Sequence, residues 1–398
     1  MAPPSSDAPA NDPADNLAAL RARIDAIDRE LLAALNRRAD LAARVGDVKK
    51  LDGSPVFRPE REAQVIAGLE AANTGPLMRE SVAPIWREIM SACRAIEAKS
   101  RVAFLGPTGT FSEEAALQYF GSTIEALPCP NIDEVFRATA AGAADYGVVP
   151  LENSTEGVVT RSLDLLLSSS LSIIGEVSLR VTHHLLRREP GSAAPFAVEA
   201  ADTPPRGAAS ASELGGNLSG VRSVCAHPQA LAQCQGWITR HLPQAERRAV
   251  ASNAEGARLA AADASVAAIA SERAASLWGL HVVHRAIQDD AHNRTRFAIV
   301  VDPTKHPAPA ASGRDCTSLV ASVPNKPGAV HDMLTPLKTH GVSMSRLESR
   351  PARSGQWEYY FYVDLEGHPD QPHVAAALAE LHETCAFLRV LGAYPMAG

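Results

Sequence analysis

Three cations in the first fifty residues have a spacing that could do chemistry. Leu17, Leu20, Ile24, Ile27, Leu31 and Leu35 recur every three or four positions, as one helix face demands, and the stripe resumes at Leu41 and Val45. Arg38 fills the gap, with no acid at the neighbouring stripe positions to pair with it. Lys49 lies eleven residues further on and shares that face if the helix runs past Gly46. Arg21 lies seventeen residues before Arg38, ~25 Å along a helix axis, so one small ligand cannot touch both in one chain. If both serve one site, Arg21 serves it from a second copy. Such cations suit a small polyanion, although any one alone is also ordinary solvated charge.

Further along, polar residues gather at strand ends. Gly106-Pro107-Thr108-Gly109-Thr110-Phe111-Ser112 joins a strand to a helix, where backbone amides can close on an anion; it is equally a tight turn capped by Ser112. Glu152-Asn153-Ser154-Thr155-Glu156-Gly157 follows a strand at the sheet edge where α/β folds bind ligands. Asn293-Arg294-Thr295-Arg296-Phe297 leads into another strand, and Asn325-Lys326-Pro327-Gly328-Ala329-Val330 turns a strand into a helix. Leu347-Glu348-Ser349-Arg350-Pro351 ends a strand. Taken singly, each is also ordinary turn and capping chemistry.

The elements that must position these residues fall into three regions. Residues 16–99 read as helical. Neither Gly nor Pro interrupts Asn16–Val45, and helices Glu60–Ala72 and Met78–Ala98 follow, with Pro84 inside the last. A lone unit of this shape leaves apolar surface uncovered, so a dimer is expected. Residues 101–301 alternate short apolar strands with helices. This is an α/β pattern with largely parallel sheets, long enough for two lobes and a cleft. The stretch 189–220 is a Gly/Pro/Ala/Ser-rich insertion. Residues 302–315, with Pro303, Pro307 and Pro309, read as a linker, so communication with the rest need not pass through a rigid interface. Residues 316–398 give a βαββαβ order, the ferredoxin-like pattern of small-ligand sensors. Residues 1–15 read as a disordered tail without a signal peptide.

A net charge of −7 over 398 residues argues against nucleic acid as a partner. No apolar run reaches the ~20 residues a membrane span needs. Six scattered cysteines without C-x-x-C spacing read as reduced thiols in a cytoplasmic protein. Thirteen histidines, His183-His184 among them, form no metal motif and read as packed or surface residues. No metal or cofactor is expected.

The helical pattern Leu20-Arg21, Ile27-Asp28, Leu31-Leu32, Arg37-Arg38, Leu41, Val45, Lys49 and Phe57–Glu62 resembles the all-helical chorismate mutase family over 16–99. The resemblance implies an intertwined dimer with two shared sites. Arg21 of the partner, Arg38 and Lys49 would hold the carboxylates and ether oxygen of chorismate, and Glu62 the ring hydroxyl. Arg58 stands where many such mutases have Asp, and Cys93 and Glu97 stand where they have Ser and Gln. A hydrogen bond from Glu97 to the ether oxygen then implies a protonated Glu97.

The three motifs between 101 and 300, with Ala226–Cys234, look like prephenate dehydratase, a two-lobed fold of the periplasmic-binding-protein type. That resemblance makes Thr295 the essential threonine, Arg296 a carboxylate fork, and Asn153, Ser154 and Glu156 the polar wall. Thr110 and Ser112 become anion anchors. The proton donor stays open between Thr295 and Glu156. The motifs at Gly328-Ala329-Val330 and Glu348-Ser349-Arg350 resemble the phenylalanine-binding motifs of ACT regulatory domains. Together the three regions resemble the bifunctional mutase/dehydratase family. This implies chorismate and prephenate as substrates, L-phenylalanine as effector, and a homodimer or dimer of dimers. An arogenate dehydratase and a non-enzymatic sensor are the competing readings; a dehydrogenase is disfavoured by the missing dinucleotide fingerprint.

Overall fold

The computed structural model describes residues 16–52, 55–189, 218–324, 326–351 and 359–396. The N-terminal tail, most of the 189–220 insertion and Asn325 of the first sensor motif lie outside them. Helix α1 (Leu17–Asp52) runs through Gly46 for 36 residues; α3 (Arg79–Glu97) packs against it, and α2 (Pro59–Ala72) packs against α3. In one chain the α1 stripe stays open: Ile24, Ile27 and Leu31 are 56%, 55% and 55% exposed.

The first α/β lobe starts with β1 (Arg101–Leu105), α4 (Phe111–Phe120), β2 (Glu125–Cys129), α5 (Ile132–Ala140) and β3 (Tyr146–Asn153). The short β4 (Gly157–Val158), α6 (Thr160–Ser168) and β5 (Ser172–Arg180) complete its outward path. The chain then crosses into the second lobe. There β6 (His184–Arg187), β7 (Ser223–Ala226), α7 (Pro228–Gln233), α8 (Gln235–His241), β8 (Glu246–Ala249), α9 (Asn253–Ala262), β9 (Val266–Ala270), α10 (Glu272–Trp278) and β10 (His281–His284) assemble. It returns as β11 (Arg294–Val301).

The sheets have orders β2-β1-β3-β11-β5 and β10-β6-β9-β7-β8. They are mixed rather than largely parallel. Strand β11 enters antiparallel between β3 and β5, and β6 is antiparallel to β9 and β10. The cause is that the chain arrives at these strands by crossing between lobes, not through a helical crossover, which alone keeps neighbours parallel.

The C-terminal unit is βαββαβ: β12 (Asp315–Ser322), α11 (Ala329–Thr339), β13 (Met344–Pro351), β14 (Tyr359–Glu366), α12 (Pro372–Thr384) and β15 (Phe387–Pro395), with sheet order β13-β14-β12-β15. It does not hang loosely on its linker. Cys316, Val320, Tyr362, Leu391 and Tyr394 share one buried cluster with Ala298, Val300, Leu163 and Ile173 of the first lobe. Gly392 lies so close to β5 that a Cβ there would sit 2.0 Å from the Ile173 carbonyl oxygen. A continuous core therefore joins the two units, because the even-numbered face of β11 carries small apolar side chains that a second sheet can cover.

Among the described residues no helix is long and apolar enough to cross a membrane, and no cluster of metal-ligating side chains occurs. All six cysteines are free thiols.

Candidate active sites

A cleft of about 770 Å³ opens between the two α/β lobes. Thr110, Ser112, Asn153, Glu156 and Thr295 line it, joined by His183, Gln233 and Asn293. The register of β3 and β11 pairs Asn153 directly with Thr295. Asn153 Nδ2 donates to Thr295 Oγ1 and to Asn293 Oδ1, both at 2.8 Å, while its Oδ1 accepts from the Thr155 and Glu156 amides at 3.0 and 3.2 Å. Asn293 Nδ2 and His183 Nε2 both reach Gln233 Oε1, at 3.0 and 2.9 Å, and Gln233 Nε2 donates to Thr155 Oγ1 at 2.9 Å. Since Gln233 Oε1 only accepts, His183 carries its hydrogen on Nε2. Nδ1 is then a lone-pair acceptor, and it is buried without a protein partner. Burial also holds the ring below its ordinary pKa, which keeps it neutral near pH 7.

Among the described residues, no lysine or arginine lines this cleft, and Glu156 is its one carboxylate. Positive potential comes instead from helix ends. Helix α4, capped by Thr110 accepting from the Glu113 amide at 3.4 Å, and α9, capped by Ser252 accepting from the Glu255 amide at 3.0 Å, both open onto it.

Two residues expected in this site lie elsewhere. Ser154 does not line the cleft; its Oγ accepts the Arg294 amide at 3.0 Å and ties β11 to the loop after β3. Arg296 points to the opposite face of β11, because side chains alternate along a strand. Its fork is filled by protein carboxylates, Glu176 at 2.6 Å and Asp364 at 2.9 Å, so it is not free to hold a substrate. The sequence names Asn293 and Gln233 only as members of motifs and reads His183 as a packed or surface residue, so none of the three is assigned a site role there. For His183 and Asn293 the one signal is position, each just before a strand at a crossing between lobes; Gln233 closes helix α7 and carries no such signal.

In the helical unit, Lys49 Nζ donates to the Val56 carbonyl at 2.8 Å and lies 3.6 Å from Glu97. The other carboxyl oxygen of Glu97, Oε1, is buried without a hydrogen-bond partner. Glu62 is ion-paired with Arg94. Burial raises the Glu62 pKa, and Arg94, Arg87 and Arg38 oppose the rise. Arg94 went unnoticed in the sequence; it also lies 4.8 Å over the Phe57 ring and donates to the Phe120 carbonyl. Cys93 is buried beside it. Arg38 is half-buried, while Arg21 and Arg58 are exposed, Arg58 as an α2 N-cap without a side-chain capping bond.

In the C-terminal unit, Gly328 caps α11 at φ 79°, a conformation suited to glycine, and is exposed together with Val330, while Ala329 is buried. Ser349 is exposed on the edge strand β13, and Glu348 is half-buried. Arg350 reaches back to the first lobe, donating to Thr160 Oγ1 at 2.6 Å and lying 3.8 Å from Asp164. Arg350 is thus a brace between units.

Comparison with known proteins agrees with this division. Residues 20–98 match the chorismate mutase type II family, 102–305 prephenate dehydratase, and 317–383 the ACT domain. The chain is 44% identical over 379 residues to a bifunctional chorismate mutase/prephenate dehydratase of Neisseria gonorrhoeae, covering 95% of this chain and 96% of the relative. It is similar to the structure of an Arthrobacter aurescens prephenate dehydratase in complex with L-Phe (TM-score 0.62, 34% identity, 74% of this chain and 89% of that one). A protein described as a quorum quenching acylase has the same TM-score of 0.62, at 31% identity over 75% of this chain and 98% of that one. With near-full-length likeness to a two-activity relative and all three domain matches in order, the chain belongs to the bifunctional chorismate mutase/prephenate dehydratase family.

Proposed function

We propose that the chain converts chorismate to prephenate in its helical unit and prephenate to phenylpyruvate in the cleft between its α/β lobes. L-phenylalanine is the feedback effector of residues 316–398. The observation that carries the second step is the hydrogen bond from Asn153 to Thr295 Oγ1. Because the Thr295 oxygen accepts there, its own hydrogen is free to donate into the cleft.

Chorismate rearranges without nucleophile or acid, so binding its compact diaxial conformer and stabilising the breaking ether oxygen are enough. Arg38 and Lys49 supply that charge, Glu62 meets the ring hydroxyl, and Arg21 reaches in from a second copy. Pairing two copies also covers the open α1 stripe, which is why a homodimer is the working unit. Lys49 already faces Glu97, so substrate must share or take over that cation.

In the cleft, the C–O bond to the ring hydroxyl breaks with its electrons, and a proton completes water. The ring carboxylate leaves as CO2, and its C–C electrons make the ring aromatic. Thr295 donates to the departing oxygen, and Glu156 stands ready to supply the proton through bridging groups. The helix ends at Thr110 and Ser252 take the two carboxylates. Neither step transfers electrons to an outside acceptor, so no redox cofactor is required.

The test is to supply chorismate to the purified chain with chelator and no nucleotide. Phenylpyruvate is the expected product. Unchanged chorismate, or turnover only with added metal or NAD, overturns the reading. Comparing prephenate with arogenate then separates the two dehydratase substrates.

A further inference from the structure

Strand β11 presents different residues to its two sides. Phe297 and Ile299 enter the core beneath α4, while Ala298 and Val300 enter the core shared with the regulatory sheet. Arg296 belongs to the second face. Its Nε donates to Glu176 Oε1 at 3.1 Å, and its Nη2 lies 2.6 Å from Glu176 Oε2 and 2.9 Å from Asp364 Oδ2. Its Nη1 lies 3.4 Å from Glu152 Oε2, which also lies 3.1 Å from Arg346 Nε. Asp364 is on β14 of the regulatory sheet, is 5% exposed, and accepts from Ser318 Oγ at 2.6 Å. Arg346 is on β13, in register with Asp364 and two residues before Glu348 of the effector motif.

The placement of this network matters more than its size. Arg296 is paired in register with Glu152, and the next pair along the same two strands is Thr295 with Asn153. The two residues at the centre of the cleft are therefore backbone neighbours of the two charges that face the regulatory sheet. We propose that Arg296 is a positioning residue. With Glu152 it fixes the Thr295–Asn153 pair from behind the sheet, and through Asp364 and Arg346 it makes that position depend on the regulatory sheet. This rests on the reading of residues 316–398 as a phenylalanine sensor.

Three carboxylates and two guanidiniums meet in a partly buried junction: the Asp364 and Arg346 side chains are 6% and 11% exposed, Arg296 and Glu152 25% and 34%. Pulling them apart strands the buried Asp364 or Arg346 charge without its partner, which is unfavourable. Such a junction favours discrete arrangements over gradual sliding, as a switch between open and closed cleft requires. Arg346, Glu348 and Arg350 alternate onto one side of β13, with Arg350 braced on Thr160 of α6. An effector that shifts β13 thus pulls on Glu152 and on α6 together.

The experiment uses the full chain and the variants Arg296→Gln, Arg296→Lys, Asp364→Asn and Arg346→Gln. Circular dichroism and a cooperative thermal transition like that of the wild type report intact folding. Dehydratase kcat and KM are measured with and without phenylalanine. Phenylalanine binding is titrated with and without a non-reacting prephenate analogue. Arg296→Gln is expected to lower kcat about 10- to 100-fold with KM changed less than about threefold, and Arg296→Lys to restore part of it. Asp364→Asn and Arg346→Gln are expected to keep kcat within about threefold while phenylalanine inhibits at least about tenfold less potently. The analogue is expected to weaken phenylalanine binding to the wild type and to leave it unchanged in both variants. A wild-type chain insensitive to phenylalanine overturns the sensor reading and this proposal together. A sensitive wild type whose Asp364→Asn and Arg346→Gln variants remain fully inhibited overturns the proposal alone, as does Arg296→Gln with wild-type kcat.

Discussion

The helical unit and the interlobe cleft are both proposed to hold substrates with two carboxylates, yet they are built from different materials. The helical unit is proposed to use long cationic side chains: Arg38, Lys49 and, from a second copy, Arg21. Its apolar face lies open in one chain, with Leu31 55% exposed, and the proposed second copy would cover it. The cleft offers no lysine or arginine among its described lining residues, and assembles helix ends with a neutral amide network, Asn153, Asn293 and Gln233, within one chain. A mobile cation can find its anion after substrate arrives. A network of amides must already be in place, because each member is fixed by another.

That contrast suggests which residues tolerate loss. A large effect on one activity alone is expected in the helical unit. Lys49→Ala removes a full charge from the breaking ether oxygen, so mutase kcat/KM should fall about 10²–10³-fold. Dehydratase turnover of added prephenate should stay within about twofold. The check is steady-state kinetics of both reactions on one preparation; parallel loss of both would erase the division between the two regions.

A smaller effect separates the lobes by stability. Burial, with Arg285 and His183 adding to it, pushes the His184 pKa down to about 4, and its Nδ1 accepts the Ala286 amide at 3.1 Å. The unfolded chain, with an ordinary value near 6.5, takes up the proton first as pH falls. Stability present above pH ~6.5 is therefore lost on the way down to about 4. At about 1.4 kcal/mol per pKa unit the loss is on the order of 3 kcal/mol. His184→Asn keeps an acceptor for Ala286 without a titrating ring, and should flatten this acid slope in denaturant midpoints measured against pH. An unchanged slope would remove His184 from the account.

The same contrast explains what was legible in the sequence. The α1 stripe, the three-region order and the βαββαβ tail follow from local periodicity, and each appears as an element. Thr295 and Asn153 were reachable because each sits in a dense polar motif at a strand end. Arg296 was misplaced for a local reason: a motif read as a string puts neighbours in one site, while a strand sends them to opposite faces. Gln233, His183 and Asn293 stand far apart in sequence, and only the crossing between lobes brings them together. The mixed sheet direction was hidden for the same reason, since antiparallel insertion of β11 depends on where the chain returns. Arg94 lay unseen on α3 because its partner, Glu62, is on another helix.

The central claim is that two independent sites on one chain act in sequence through released prephenate. The most direct measurement mixes two defective chains, Arg38→Ala and Thr295→Ala, and supplies chorismate. Alone, Arg38→Ala should leave chorismate unconsumed yet dehydrate added prephenate, and Thr295→Ala should stop at prephenate. Together they should form phenylpyruvate at a rate set by both concentrations. A mixture that makes none, although each chain keeps its remaining activity, would contradict two sites linked by a released intermediate.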